Sequence, residues 1–113
     1  MPICTLDTNV ADVSPEVAKA VSENVSKLLK KPEAYVMVQV NPNKIMSFGG
    51  SSDPCALLQI RSLGGISKAS NNAAAGVLNK LISEQLGVDA DRIFIEFVDV
   101  SGENLALGGA TLR

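Results

Sequence analysis

One pattern restricts the fold of this chain more than any other, because the chain repeats itself. The stretch from Leu29 through Lys31, Tyr35 and Val38 falls over the stretch from Leu86 through Val88, Arg92 and Ile95, at an offset of 57 residues (86 − 29 = 57). In each copy an amphipathic stretch ends, a turn follows, and an alternating apolar run begins. The same offset is expected to carry the first strand onto the third and the first helix onto the second.

Ile3 to Thr8 reads as a short strand. Ser14-Pro15-Glu16 then opens a helix, with a capping hydroxyl, a proline at the first helical position and an acid in the first turn. Val17, Val21, Val25, Leu28 and Leu29 recur at helical spacing, Lys30 and Lys31 suit the helix C-terminus, and Pro32 stops it. Tyr35 to Val40 alternates and predicts a strand with Val36, Val38 and Val40 on one face. Asn41-Pro42-Asn43 is a turn and Phe48 to Pro54 a loop. Ala56 to Leu63 is the third strand, closed by Gly64-Gly65. A second helix is expected from about Asn71 to Leu86, with Ala74, Val77, Leu78, Leu81 and Ile82 inward and Gly87 just past its end. Arg92 to Val98 is the fourth strand, and the glycine-rich tail from Gly102 predicts short edge strands or turns.

Two strand–helix–strand units make an α+β fold, with a four-stranded mixed sheet and both helices on one face. At 113 residues the chain is read as one domain spanning 1–113. The face away from the helices mixes Tyr35, Met37, Gln39, Gln59, Arg61, Phe94 and Glu96, and no third element remains to cover it. That face is either solvated or packed against other copies of the chain.

Composition narrows the function mostly by subtraction. There is no histidine, which removes the usual general base, the Ser-His-Asp and Cys-His arrangements, and most zinc sites. The net charge is −2, and no basic cluster exceeds Lys30-Lys31, so neither a nucleic-acid surface nor a membrane partner is expected. Cys4 and Cys55 stand alone, giving neither a disulfide framework nor a CxxC pair, and the start lacks a signal-peptide pattern. A cytoplasmic chain without metal or cofactor is the expectation.

An enzyme without histidine needs a carboxylate, a lysine, a tyrosine or the N-terminal amine as its base. A small second residue favours removal of Met1, so Pro2 is expected to become a free secondary amine at the start of a strand. Burial disfavours the charged form of such an amine, and a neutral amine can abstract a proton from carbon beside a carbonyl. Taken alone, Pro2 carries no such meaning, since Met-Pro is a common start. Lys31 is either a solvated helix-end charge or an anchor for an anionic substrate. Gly64-Gly65 is either a plain strand-to-loop turn or a place where backbone N–H groups meet a ligand.

In their order and spacing, the Met1-Pro2 start, Thr8-Asn9-Val10, Lys31-Pro32-x-x-Tyr35, the run Phe48 to Ala56, Ser62 to Ile66 and Asp91 to Ile95 resemble the macrophage migration inhibitory factor (MIF) family of the tautomerase superfamily. The resemblance covers nearly the whole chain. It implies a homotrimer with sheets wrapped around a central axis and three sites at subunit boundaries. It also implies a cofactor-independent keto–enol tautomerase acting on small enolisable keto acids, with phenylpyruvate and dopachrome derivatives as usual assay substrates. By position, Pro2 is the catalytic base, Lys31 binds the substrate carboxylate or oxygen, and Leu63 offers its backbone N–H. Phe94 and Glu96 match positions contributed by a neighbouring subunit, and Leu105, Leu107 and Leu112 match the apolar wall.

Against the family pattern, Phe94 stands where tyrosine is frequent, Glu96 where asparagine is common, and Leu107 and Leu112 where aromatics are usual. These departures imply weak activity on aromatic keto acids or a different substrate. Leu58 replaces the second cysteine of the family's proposed redox pair, so that activity is expected to be absent. Asp12 and Asn43 replace the arginine and aspartate of receptor-binding members. The alternatives to an enzyme are a secreted MIF-like signalling protein with vestigial activity and a receptor as partner, or a trimer whose site serves only as a sensor.

Overall fold

Each copy of the repeated pattern folds into a strand, a helix and a second strand. The computed structural model describes residues 1–113. The first unit is β1 (Ile3–Thr8), α1 (Glu16–Leu29) and β2 (Met37–Asn41); the second is β3 (Ala56–Ser62), α2 (Lys68–Leu86) and β4 (Ile93–Asp99). A hairpin of β5 (Ala106–Leu107) and β6 (Ala110–Thr111) closes the tail. Strands are parallel within each unit, as a helical crossover requires, and β1 meets β3 antiparallel. The sheet is therefore mixed, in the order β2-β1-β3-β4, with both first strands at its centre. This is the expected α+β architecture.

Both helices lie on one face of this sheet, where Cys4, Leu6, Leu58 and Ile60 form one buried cluster with Val17, Val21, Val25, Leu78 and Ile82. In α1 the apolar spacing of four residues puts Val17, Val21, Val25 and Leu29 inward, and the Glu16 N–H donates to Ser14 Oγ at 3.2 Å. α2 begins three residues before the expected Asn71. Ser67 is its N-cap, its hydroxyl accepting from the Ser70 N–H at 3.2 Å, so a polar stretch conceals an ordinary helix start. Ala74, Leu78, Ile82 and Leu86 form its buried stripe; Val77, expected inside, lies beside that stripe and is exposed. β2 and β4 start later than the alternation suggests, because Glu33–Tyr35 and Ala90–Arg92 each wind into a single 3-10 turn.

The offset of 57 holds from the helix ends through the second strands and fails for the first strands. Ile3 pairs with Met37 while Ala56 pairs with Ile93, so the first strands correspond at 54, with Leu6 over Ile60 (60 − 6 = 54). The three-residue difference is absorbed between strand and helix, where α2 also starts earlier than α1. The 54 register superposes the two buried polar residues of the core, Thr8 and Ser62. Both hydroxyls are satisfied, Thr8 donating to the Cys55 carbonyl at 2.8 Å and Ser62 to the Gly64 carbonyl at 2.7 Å.

The other sheet face is open. Its residues run in rows across all four strands: Met37, Ile3, Arg61 and Val98; then Gln39, Thr5, Gln59 and Glu96; then Asn41, Asp7, Leu57 and Phe94. Met37 and Phe94 are 65% and 63% exposed, so this face leaves large apolar side chains uncovered.

Candidate functional site

The sheet topology gathers most of the candidate residues at one end. The start of β1, the start of β2 and the ends of β3 and β4 meet in the row containing Ile3, so Pro2, Lys31, Leu63 and the tail after β4 all converge there. Pro2 is fully buried, and its carbonyl accepts from the Met37 N–H at 3.0 Å. That bond extends the β1–β2 pairing and fixes the proline against the sheet.

Lys31 reaches the same corner from α1. The helix closes with Lys30 in a left-handed conformation (φ 55°), after which the Lys31 N–H donates to the Ser26 carbonyl at 3.0 Å and Ser26 Oγ donates to the Lys31 carbonyl at 2.6 Å. The side chain then runs over the Gly64–Gly65 turn, with φ of +78° and +77°. A Cβ added at Gly64 would stand 3.4 Å from Lys31 Nζ, and one at Gly65 would stand 3.3 Å from the Leu29 carbonyl. The two glycines thus supply both the left-handed turn and the close approach of the lysine. Leu63 precedes them, half-buried.

The electrostatics of this corner favour a neutral amine. The Met1 α-amino group is held below its usual range, first by burial and then by the Lys31 ammonium.

The tail supplies the wall. Leu112 folds back, its N–H donating to the Leu105 carbonyl at 2.9 Å and the Gly102 carbonyl at 3.1 Å. Leu105, Leu107 and Leu112 then enclose a cavity of about 300 Å³ against Met1, Ile3, Tyr35 and Met37. Tyr35 and Met37 are lining residues that sequence reasoning did not assign to the site. Tyr35 stood in the motif Lys31-Pro32-x-x-Tyr35, a signal that could have placed it there.

Phe94 and Glu96 lie elsewhere in this chain. Phe94 sits two rows from Ile3 along the open face, about 13 Å at the rise of a strand. Its ring stacks on Phe48 at 5.0 Å between centroids, and Gln59 Nε2 donates to Glu96 Oε1 at 2.8 Å. Neither borders the cavity around Met1.

The most distinctive sequence stretches turn out to share a structural task at that far end. Asn9 Nδ2 donates to the carbonyls of Ser52 and Asp53, and Asn9 Oδ1 accepts from the Cys55 N–H. From the other side the Arg92 guanidinium donates to the carbonyls of Phe48, Ser51, Asp53 and Pro54 at 3.0–3.3 Å, and lies 5.1 Å from the Phe48 ring centroid. Sequence reasoning placed Arg92 at the start of the fourth strand with no further role; it is the clamp of the Phe48–Pro54 loop.

Neither cysteine is placed for thiolate chemistry. Both are buried, and burial pushes the Cys4 thiol up to about 12. No group of three acidic or cysteine side chains is arranged to hold a metal ion, and no helix is long and apolar enough to cross a membrane.

Comparison with known proteins gives a consistent result. Residues 1–113 match the family described as Macrophage migration inhibitory factor (MIF). The chain is 41% identical over 113 residues to a macrophage migration inhibitory factor homolog of Brugia malayi, covering 98% of each chain. Among solved structures, the macrophage migration inhibitory factor of Trichinella spiralis superposes with a TM-score of 0.93 at 34% identity, over 96% of this chain and 98% of that one. A homologue from Prochlorococcus marinus superposes at 0.94 with 26% identity, over 98% and 99%. The chain belongs to the macrophage migration inhibitory factor family.

Proposed function

We propose that the protein is a cofactor-independent keto–enol tautomerase whose base is the amine of Pro2 once Met1 is removed. The observation that carries this reading is the fully buried Pro2, at the corner where the Lys31 ammonium acts on the N-terminal amine and where its neighbours Met1 and Ile3 line an apolar cavity. Loss of Met1 moves the free amine one residue inward, from a half-buried position to a buried one. Desolvation and the Lys31 charge lower the Met1 amine, and the same two causes are expected to lower the amine of the more deeply buried Pro2. A secondary amine kept neutral near pH 7 takes a proton from carbon α to a carbonyl, and the adjacent Lys31 holds the carboxylate of a 2-oxo acid. In the reverse direction the protonated amine returns a proton to that carbon.

The assembly we propose is a homotrimer. The open sheet face, with Met37 and Phe94 largely exposed on it, supports burial against further copies of this chain. Phe94 and Glu96 then approach the Pro2 site of a neighbouring subunit, which they do not reach in their own. A carboxylate at Glu96 opposes an anionic substrate, and with leucines at Leu107 and Leu112 we expect slow turnover of phenylpyruvate. The test is tautomerase kinetics on wild type and Pro2→Gly, with Met1 removal verified by mass and the assembly sized. The variant is expected to lose about 10²–10⁴ in kcat/KM. Unchanged activity in Pro2→Gly overturns the assignment of the base.

A further inference from the structure

The wall of the cavity says more about the substrate than the base does. Of the eight lining side chains that one subunit contributes, seven are aliphatic or thioether and only Tyr35 offers a ring; the assembly proposed above adds the Phe94 ring of a neighbouring copy. Aryl ligands gain from ring–ring contacts, whereas leucine and methionine walls adapt their rotamers to a chain that can itself bend. Leu107 stands 57% exposed at this cavity, which leaves apolar surface that a ligand chain would cover. Met1 itself lines the space with an unbranched side chain. Its removal frees the Pro2 nitrogen and vacates the space that this side chain fills in the cavity. At about 300 Å³ the cavity lies at the small end of ligand pockets, so the chain it accepts is short.

We propose that this site selects straight-chain aliphatic 2-oxo acids over aryl ones, with the carboxylate on Lys31 and the alkyl chain along Met37, Leu105, Leu107 and Leu112. The selectivity rests on the tautomerase reading for its chemistry. The Pro2 nitrogen takes a proton from C3, and the C–H electron pair becomes the C2–C3 double bond. The carbonyl oxygen takes a proton from solvent, and the prolinium returns its own proton to solvent. The reaction is an isomerisation and needs no co-reactant.

The test uses the full chain with Met1 removed. Its first measurement is solvent deuterium incorporation at C3, for 2-oxobutanoate and its longer straight-chain homologues beside phenylpyruvate. Its second is direct calorimetric binding of hexanoate and octanoate beside phenylacetate, which needs no turnover. The specificity constant is expected to rise by up to about fourfold per added methylene and to level once the cavity is full. The best aliphatic acid is expected to exceed phenylpyruvate at least tenfold, and Leu107→Phe is expected to narrow that ratio. A flat series, or phenylpyruvate exceeding every aliphatic acid, overturns the selectivity while leaving Pro2 as the base. Aliphatic-selective binding with no exchange on any acid supports the selectivity and sinks the tautomerase reading. Tighter binding of phenylacetate than of either fatty acid overturns the selectivity whatever the turnover shows.

Discussion

The two halves of the molecule build the same corner twice, and only one copy carries groups suited to acid–base chemistry. In the first half the corner is lined by Met1, Ile3 and Met37; their equivalents in the second, at offsets of 54 and 57, are Cys55, Leu57 and Phe94, which line a cavity of about 330 Å³. Both corners share the same frame. Ser26 and Ser83 each donate a hydroxyl to the carbonyl five residues on, at 2.6 Å, and Lys30 and Gly87 each end their helix in a left-handed conformation. The contents differ. Pro2 corresponds to Ala56, which lies inside the chain and so has no amine, Lys31 to the buried Val88, and Tyr35 to Arg92. The antiparallel meeting of β1 and β3 sends the corners to opposite ends of the sheet. A frame common to both halves is structural, and the proposed function rests on what only the first corner holds.

Exchanging the contents should expose this division. Val88 is 1% exposed within the core, so Val88→Lys puts a charge where Lys31 stands by symmetry but where nothing receives it. We expect a loss of about 4 kcal/mol or more, read as a lowered denaturation midpoint, because an unpaired buried charge is among the costliest single changes. Lys31→Val makes the opposite exchange. It should leave the midpoint nearly unchanged and lower kcat/KM by at least tenfold, mainly through KM. Equal stability losses in the two variants would break the comparison.

Arg92 and Tyr35 sharpen it next. Arg92→Met removes four donors and the charge over Phe48, and the Phe48–Pro54 loop loses its clamp. About 2 kcal/mol of stability should go with it, since bonds from a charged donor contribute more than neutral ones. Tyr35→Phe at the equivalent place should cost under about 0.5 kcal/mol, as expected of a surface substitution. Hydrogen exchange of the loop amides, fast in Arg92→Met and unaltered in Tyr35→Phe, checks the assignment.

Much of this division was legible in the sequence, and the illegible part has definite causes. The helix ends and second strands were readable because caps, turns and alternation are local. The register of the first strands was not, since the residues joining strand to helix differ in number between the halves while both strands stay apolar. Pro2, Lys31 and the tail leucines were assigned by resemblance, and the topology does bring Pro2, Lys31 and that wall to one end. Met37 escaped notice because its membership depends on where the tail returns, which no local pattern encodes. Arg92 escaped because a lone arginine before a strand looks like any surface charge until the loop it holds has folded over it. Phe94 and Glu96 stay apart from the corner because a single sheet separates them by its own length.

The pH profile tests the electrostatic part of the difference. Lys31 lowers the pKa of the Met1 amine, and if it does the same to the Pro2 amine, kcat/KM should rise with pH through that lowered value and then level. Removing the charge in Lys31→Met raises the amine's pKa, so the acid limb of the profile must move to higher pH. A charge change at the second corner, Arg92→Met, should leave the limb where it is. A limb that stays put in Lys31→Met would show that burial alone sets the amine.

The smallest effect comes from the one part of the shared frame that the two halves fill unequally. Lys30 has φ 55° and ψ 48°, while Gly87, its counterpart, has φ 69° and ψ 34°. A side chain in this left-handed region crowds its own carbonyl, at a cost of about 1–2 kcal/mol, and glycine does not. Glycine gives back part of that gain through its freer unfolded state, and loss of the lysine removes a few tenths of a kcal/mol of helix-end attraction. Lys30→Gly should therefore stabilise the protein by about 0.5–1 kcal/mol, and Gly87→Ala should destabilise it by a similar amount. A Cβ at Gly87 meets nothing within 4 Å, so the second substitution isolates the backbone cost from any clash. Opposite shifts of a few degrees in melting temperature would confirm that both corners rest on one frame. A loss of kcat/KM in Lys30→Gly would instead mean that the stiffer lysine cap helps to aim Lys31, and that the frame itself differs between the halves.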